Sequence, residues 1–278
     1  MGPGFDCLGL AVDLWGRITL SLDKGKAADD PMVAMARTAA RRLFEKIGRS
    51  SGDVHARYEG DVPLARGLGA SAVARVGGLV AANRLAGNPL DRDELLRLAT
   101  DLENHADNAA PAIFGGMQVS VVDDSGTVLH TSAPLPDGLH TVLLVPELRI
   151  ATKDARRVLP RSLAREDAVF NAARTALLVA AMARGRFDLL DTATQDRIHQ
   201  PYRSKIYPAM TPIFDAARNA GAHAVYLSGS GSTICALATA SMDEIASSML
   251  AAAEKSGLKA RTVITRPSDT GAEVVSEA

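Results

Sequence analysis

Apolar and polar positions along the chain alternate first with a period of two, then with the roughly 3.6-residue period of a helix, and the two patterns keep exchanging. From Leu14 to Asp23, Ile18, Leu20 and Leu22 alternate with Arg17, Thr19 and Ser21, which predicts a half-buried strand. Pro31 opens a helix to Ile47 carrying Val33, Met35, Leu43 and Phe44, and Gly48 ends it. A short strand from Val54 to Glu59 leads into a glycine loop, and an apolar, small-residue helix runs from Ala70 to Leu85. Its Gly77-Gly78 pair costs about 1 kcal/mol per glycine relative to alanine, which suggests close packing against another element. Asp91 to Asn108 is expected to be one helix with Leu95, Leu96, Leu98 and Leu102 on its apolar side. Met117 to Val122 and Gly126 to Thr131 read as a hairpin around Asp123-Asp124-Ser125-Gly126, followed by a buried strand from His140 to Pro146.

Near residue 150 strands give way to helices, so the domain boundary is expected there, between 1–149 and 150–278. Helices are expected at Leu163 to Arg184, Leu189 to His199 and Tyr207 to Ala220. A strand at Ala224 to Ser228, a glycine turn, a strand at Thr233 to Leu237, a helix at Met242 to Lys255 and a strand at Ala260 to Thr265 follow. This order predicts an α+β fold rather than repeated βαβ units. The opening Met1 to Leu10 is turn-rich with no strand ahead of it, and the last dozen polar residues are expected to fray.

The stretch Arg66-Gly67-Leu68-Gly69-Ala70-Ser71-Ala72 points to an anion site. Its glycines let the backbone approach a ligand, and the helix behind them presents unpaired N–H groups and a positive dipole end. A plain tight turn with Ser71 as a cap is the simpler alternative. The stretch also satisfies the dinucleotide fingerprint G-x-G-x-x-A, but that motif requires an apolar strand directly before it and an acidic residue closing the next strand. Gly60 to Ala65 is no such strand, and Asp91 and Asp93 begin a helix.

Composition narrows the ligand. The chain has 278 residues, enough for two domains, and its 31 basic and 32 acidic residues leave a net charge of −1, with no electrostatic footprint for nucleic acid or a membrane surface. Its two cysteines, Cys7 and Cys235, lie far apart and outside metal-ligand spacing, which suits a reduced, cytoplasmic compartment. A small-molecule ligand is the default.

Three blocks in this order resemble the GHMP kinase superfamily: Gly2-Pro3-Gly4-Phe5-Asp6, Pro63 to Ala72 with its Gly67-Leu68-Gly69-Ala70-Ser71 core, and Ser228-Gly229-Ser230-Gly231-Ser232. Further blocks are similar to homoserine kinases within it: His105 to Gly116, Thr152-Lys153-Asp154-Ala155-Arg156, Phe170-Asn171-Ala172-Ala173-Arg174 and His199-Gln200-Pro201-Tyr202-Arg203. The resemblance implies an N-terminal domain like ribosomal protein S5 domain 2, a ferredoxin-like C-terminal domain, and phosphorylation of L-homoserine by ATP with magnesium. Family members begin with a strand and a Ser-Ala-Asn-Leu-Gly-Pro-Gly-Phe-Asp run; Met1 stands where the leucine would be, so the resemblance reads this chain as starting short of that strand. Ala70 also replaces the usual first serine of a pair.

The resemblance further implies roles for single residues. Pro63, Leu64, Ala65, Arg66, Gly67, Leu68, Gly69, Ala70, Ser71 and Ala72 would form the ATP loop, and Ser71 with Glu103 would hold magnesium, which needs few protein oxygens. Asp6 and Asn108 would meet the substrate ammonium, Arg156 and Arg203 its carboxylate, since a planar guanidinium fork suits that group. Thr152 would orient the acceptor hydroxyl, His105 is read as structural, and no side chain stands out as a base, the proton leaving through phosphate or solvent. The second glycine turn would close beside substrate or phosphate. A homodimer fits the resemblance. Two alternatives stay open: another GHMP kinase acting on mevalonate-type or sugar substrates, and a non-catalytic ligand-binding relative.

Overall fold

The computed structural model describes residues 1–22 and 29–275. Its elements run β1 (Leu8–Leu10), β2 (Gly16–Ser21), α1 (Pro31–Lys46), β3 (His55–Gly60), α2 (Ala70–Leu85), α3 (Arg92–Glu103), α4 (Ala109–Phe114), β4 (Met117–Val122), β5 (Val128–Ala133) and β6 (His140–Pro146). They continue with α5 (Thr152–Arg157), α6 (Arg165–Ala183), a 3-10 turn at Phe187–Leu189, α7 (Leu190–Ala193), α8 (Gln200–Arg203), α9 (Met210–Asn219), β7 (Ala224–Leu227), β8 (Ile234–Ala238), α10 (Met242–Lys255) and β9 (Ala260–Thr265). The mixed content is the α+β class expected. The predicted strand from Leu14 shortens to β2, and its last residue, Asp23, lies outside the described residues.

The chain forms two compact units that are not consecutive halves. The first comprises Met1–Leu8, Pro63–Leu68 and Ala133–Pro267, the second Gly9–Val62, Gly69–Ser132 and the chain from Ser268 on. This differs from a cut at residue 150. The reason is β6: although it precedes that point, it pairs antiparallel with both β8, Leu143 opposite Cys235, and β9, Leu143 opposite Val263.

In the first unit the four strands are ordered β7-β8-β6-β9. With helices between β6 and β7 and between β8 and β9, this is the β-α-β-β-α-β arrangement of a ferredoxin-like fold, all antiparallel. Residues of β7 and β8 are buried throughout, and α9 and α10 cover one face of the sheet, where Ile213, Phe214, Ile245 and Met249 pack with Val142, Leu144, Val225 and Ile234.

In the second unit α2 packs against α1, α3, α4 and β2. The Gly77-Gly78 pair explains how. A Cβ on Gly78 would run into the backbone carbonyl of Ala36 in α1, and one on Gly77 would sit 2.6 Å from Cγ1 of Ile18 in β2. The glycines therefore let α2 approach two neighbours closely, and Leu43, Phe44, Leu79, Leu96 and Ile113 fill the resulting core. Strand β2 pairs antiparallel with β3, Ile18 opposite Tyr58.

Two further expectations change. The helix predicted to Asn108 stops at Glu103: Asn104 adopts a left-handed conformation (φ 63°), and His105, Asp107 and Asn108 hydrogen-bond among themselves, a local alternative to the helix ladder. The tail expected to fray is instead tied down from Ser268 to Ala272. Ser268 N donates to Ala11 O, Ala272 N donates to Ala112 O, and Gly271 lies so near Ile113 that a Cβ would meet its carbonyl; residues 276–278 lie outside the described residues. Likewise the segment expected as a helix from Leu189 to His199 breaks after Ala193, because Asp196 turns the chain by accepting bonds from the backbone nitrogens of Ile198, His199 and Gln200.

Candidate functional site

The loop of residues 63–72 is one covalent stretch whose part up to Leu68 belongs to the first unit and whose part from Gly69 belongs to the second. In the first unit, Gly67 has φ 76°, a left-handed conformation, and a Cβ there would strike the Ser228 carbonyl. The second glycine turn grips this half of the loop: Ser228 Oγ donates to Gly67 O (2.8 Å) and Thr233 N to Arg66 O (2.9 Å). Arg66, expected among the ATP contacts, uses all three side-chain nitrogens on backbone carbonyls: Nε on Pro146 (2.7 Å), Nη1 on Leu64 (3.0 Å) and Nη2 on Glu147 (2.8 Å). Its side chain staples the loop to the end of β6.

The same unit brings together four of the expected site residues. Asp6 sits in a left-handed turn (φ 58°) and receives two parallel bonds from Arg156, Nη1 to Oδ2 at 2.9 Å and Nη2 to Oδ1 at 2.7 Å. The ring of Phe5 has the guanidinium carbons of Arg156 and Arg203 at 5.3 and 5.4 Å from its centroid and stacks with His199 at 5.2 Å. Arg203 is buried, and burial first, then the charge of Arg156, lowers its pKa to about 10. Thr152 opens α5 with its hydroxyl directed at Ser230 Oγ, at 3.5 Å.

In the second unit, Gly69 caps α2 in a left-handed conformation (φ 66°) with no side chain bonded to the first turn. The N–H groups of that turn are therefore not taken up by a capping side chain. Ala70 and Ala72 turn their methyl groups into the core and contribute backbone alone. Ser71 does not cap the helix; its hydroxyl donates to Glu103 Oε2 at 2.9 Å. Glu103 is 5 % exposed and its other oxygen lies 2.7 Å from Arg75 Nη1. Nearby in the same unit, a Cβ on Gly69 would stand 3.3 Å from Asn108 Oδ1, so Asn108 borders the end of the loop. His105 Nδ1 and Asn108 Nδ2 both meet Asp107 Oδ1, at 2.7 and 3.1 Å, which suits the structural role expected of His105.

Sequence reasoning passed over two residues. Arg75 follows Ser71 by four residues on α2, a spacing that places both on one helix face, and that was the available signal. His199 lay inside a quoted block, but its bond to Arg203 is between side chains four positions apart across a helix start, and only the fold reveals it.

A glycine loop held from behind, a helix N-terminus without a side-chain cap, and a first-turn hydroxyl bonded to the carboxylate that ends α3 are parts of the kind a small-molecule kinase uses at phosphate. Residues 34–116 match the GHMP kinases N terminal domain and residues 178–255 match the GHMP kinases C terminal domain. The chain belongs to the GHMP kinases. It is 39 % identical to a homoserine kinase of Moorella thermoacetica over 99 % of this chain and 96 % of that protein. It is 42 % identical to one of Symbiobacterium thermophilum, over 99 % and 91 %. Among solved structures, a homoserine kinase from Cytophaga hutchinsonii superposes with a TM-score of 0.86 at 29 % identity, covering 97 % of this chain and 92 % of that one.

Proposed function

We propose that this protein phosphorylates the hydroxyl of L-homoserine with ATP, giving O-phospho-L-homoserine. The observation that carries the substrate is the similarity to homoserine kinases over almost the whole chain. The phosphoryl chemistry is supported by the uncapped first turn of α2 with Ser71 on Glu103. Phosphoryl transfer asks the protein mainly to hold phosphates, neutralise charge and place the acceptor.

The backbone of residues 67–72 is assigned to the ATP phosphates. Ser71 Oγ and Glu103 Oε2, a hydroxyl and a carboxylate oxygen 2.9 Å apart, are hard donors of the kind magnesium takes, with water and phosphate oxygens completing its six. Magnesium bound there would supply neutralisation of phosphate charge. Arg75, with Nη1 2.7 Å from the second Glu103 oxygen, is assigned to hold the carboxylate in place.

For the substrate, the bidentate Asp6–Arg156 pair matches the two charges of an amino acid: each partner can exchange the other for the ammonium or the carboxylate. Arg203 is assigned to the carboxylate, Asn108 to the ammonium and Thr152 to the acceptor hydroxyl. A cytoplasmic homodimer completes the reading; no described helix is long and apolar enough to cross a membrane.

The test is a coupled ADP-release assay with homoserine, mevalonate and galactose, run on wild type and Glu103→Gln. Homoserine should be the preferred acceptor, and the variant should lose on the order of 10²–10³-fold in kcat while still binding homoserine. Equal turnover in the variant would sink the magnesium assignment, and preference for another acceptor would sink the substrate.

A further inference from the structure

Among the described residues Arg203 is the one buried arginine, 3 % exposed. A buried guanidinium must find acceptors, and their placement decides which of its N–H groups remain for a ligand. Here Nη1 donates to Gly229 O (2.9 Å) and to His199 Nδ1 (3.1 Å), and Nε to Ala155 O (3.3 Å); none of these bonds uses Nη2. A guanidinium has no lone pair to offer, so Nδ1 must accept, and the ring is neutral with its hydrogen on Nε2. That hydrogen has an acceptor too, the carbonyl of Gly2 at 2.7 Å.

Behind His199 stands a second layer. Asp196 takes the backbone nitrogens of His199 and Gln200 on Oδ2 (2.9 and 2.6 Å), and that of Ile198 with Asn171 Nδ2 on Oδ1 (2.9 and 2.7 Å). Asn171 also donates to Pro3 O (3.4 Å) and accepts from Arg197 N (2.9 Å). The network thus has two ends. One is the Arg203 guanidinium; the other is the pair of carbonyls at Gly2 and Pro3, immediately before Phe5 and Asp6.

We infer that His199, backed by Asp196 and Asn171, is a positioning residue that sets the separation of the Asp6 and Arg203 arms and so the grip on the amino-acid substrate. This rests on the homoserine kinase reading above. It also accounts for the Phe170–Arg174 block: Asn171 is its working member, joining helix α6 to the N-terminal turn.

The experiment is steady-state kinetics with both substrates varied, on wild type, His199→Phe, His199→Gln and Asn171→Ala. Phenylalanine keeps a ring against Phe5 but can neither accept from Arg203 nor donate to Gly2; glutamine can do both. Homoserine KM should rise about tenfold or more in His199→Phe and Asn171→Ala, with ATP KM and kcat within about twofold of wild type, because binding in ground and transition state is lost equally. His199→Gln should recover much of that loss. If His199→Phe does not fold, Asn171→Ala must show the same split by itself. Wild-type homoserine KM in folded variants, a parallel rise in both KM values, or glutamine no better than phenylalanine would overturn the inference. A wild type that phosphorylates no homoserine would instead remove the functional reading on which it rests.

Discussion

Acidification from pH 7 to pH 5 should cost the folded state about 2 kcal/mol through His199 alone. Burial, followed by the neighbouring Arg203 charge, lowers the His199 pKa from 6.5 to about 4, against an opposing pull from Asp196 3.6 Å away. The direction follows from proton counting. Between these two values the unfolded chain binds a proton at this histidine and the folded chain does not, so stability is complete above pH 6.5 and is lost as pH falls towards 4. The full window corresponds to about 3–4 kcal/mol at roughly 1.4 kcal/mol per pH unit, of which about 2 kcal/mol is lost by pH 5. The assay is urea unfolding of wild type and His199→Gln at both pH values. Groups remote from residue 199 titrate alike in both proteins and cancel in the comparison, so the variant should show a pH dependence smaller by about 2 kcal/mol. An identical pH dependence in the two proteins would refute the reasoning that His199 is held neutral by its surroundings.

Gly78→Ala should destabilise the protein by about 1–3 kcal/mol and more than Gly77→Ala, since the first methyl meets the backbone of Ala36 and the second a side-chain atom of Ile18 that can move; comparative thermal unfolding checks the order. Arg66→Ala should raise the KM for ATP several-fold while leaving the homoserine KM near wild type, because three carbonyls that fix the first half of the loop lose their donors; an unchanged ATP KM would count against the staple.

Much of the architecture was legible along the chain because local signals coincide there. Helix α2 runs from Ala70 to Leu85 as expected, α10 from Met242 to Lys255, β6 from His140 to Pro146 and β9 from Ala260 to Thr265. In each case a single period is bounded by turn or cap residues, so local preference and tertiary packing agree. The short β1, α4 and α5 escaped, since three to six residues are too few to display a period. The glycine loop was legible because two glycines followed directly by a helix start have a local meaning, and the blocks around Asp6, Arg156 and Arg203 carried the family resemblance.

What the sequence by itself determined, then, was the class of the fold, the glycine loop running directly into a helix, and the blocks that carry the family resemblance. The tertiary structure decided which of them touch. It joined β6 to β8 and β9 and so gave the compact units their interleaved composition; it turned Arg66 away to three carbonyls, set Ser71 on Glu103, paired Asp6 with Arg156, and hung Arg203 on His199. Periodicity and capping act over a few residues, whereas these contacts, apart from Arg66 to the Leu64 carbonyl and the last, close loops of many residues. Arg203 and His199 are only four apart, but the carbonyls of Gly2, Ala155 and Gly229 that complete their bonding come from distant parts of the chain, and only the folded core brings them within reach.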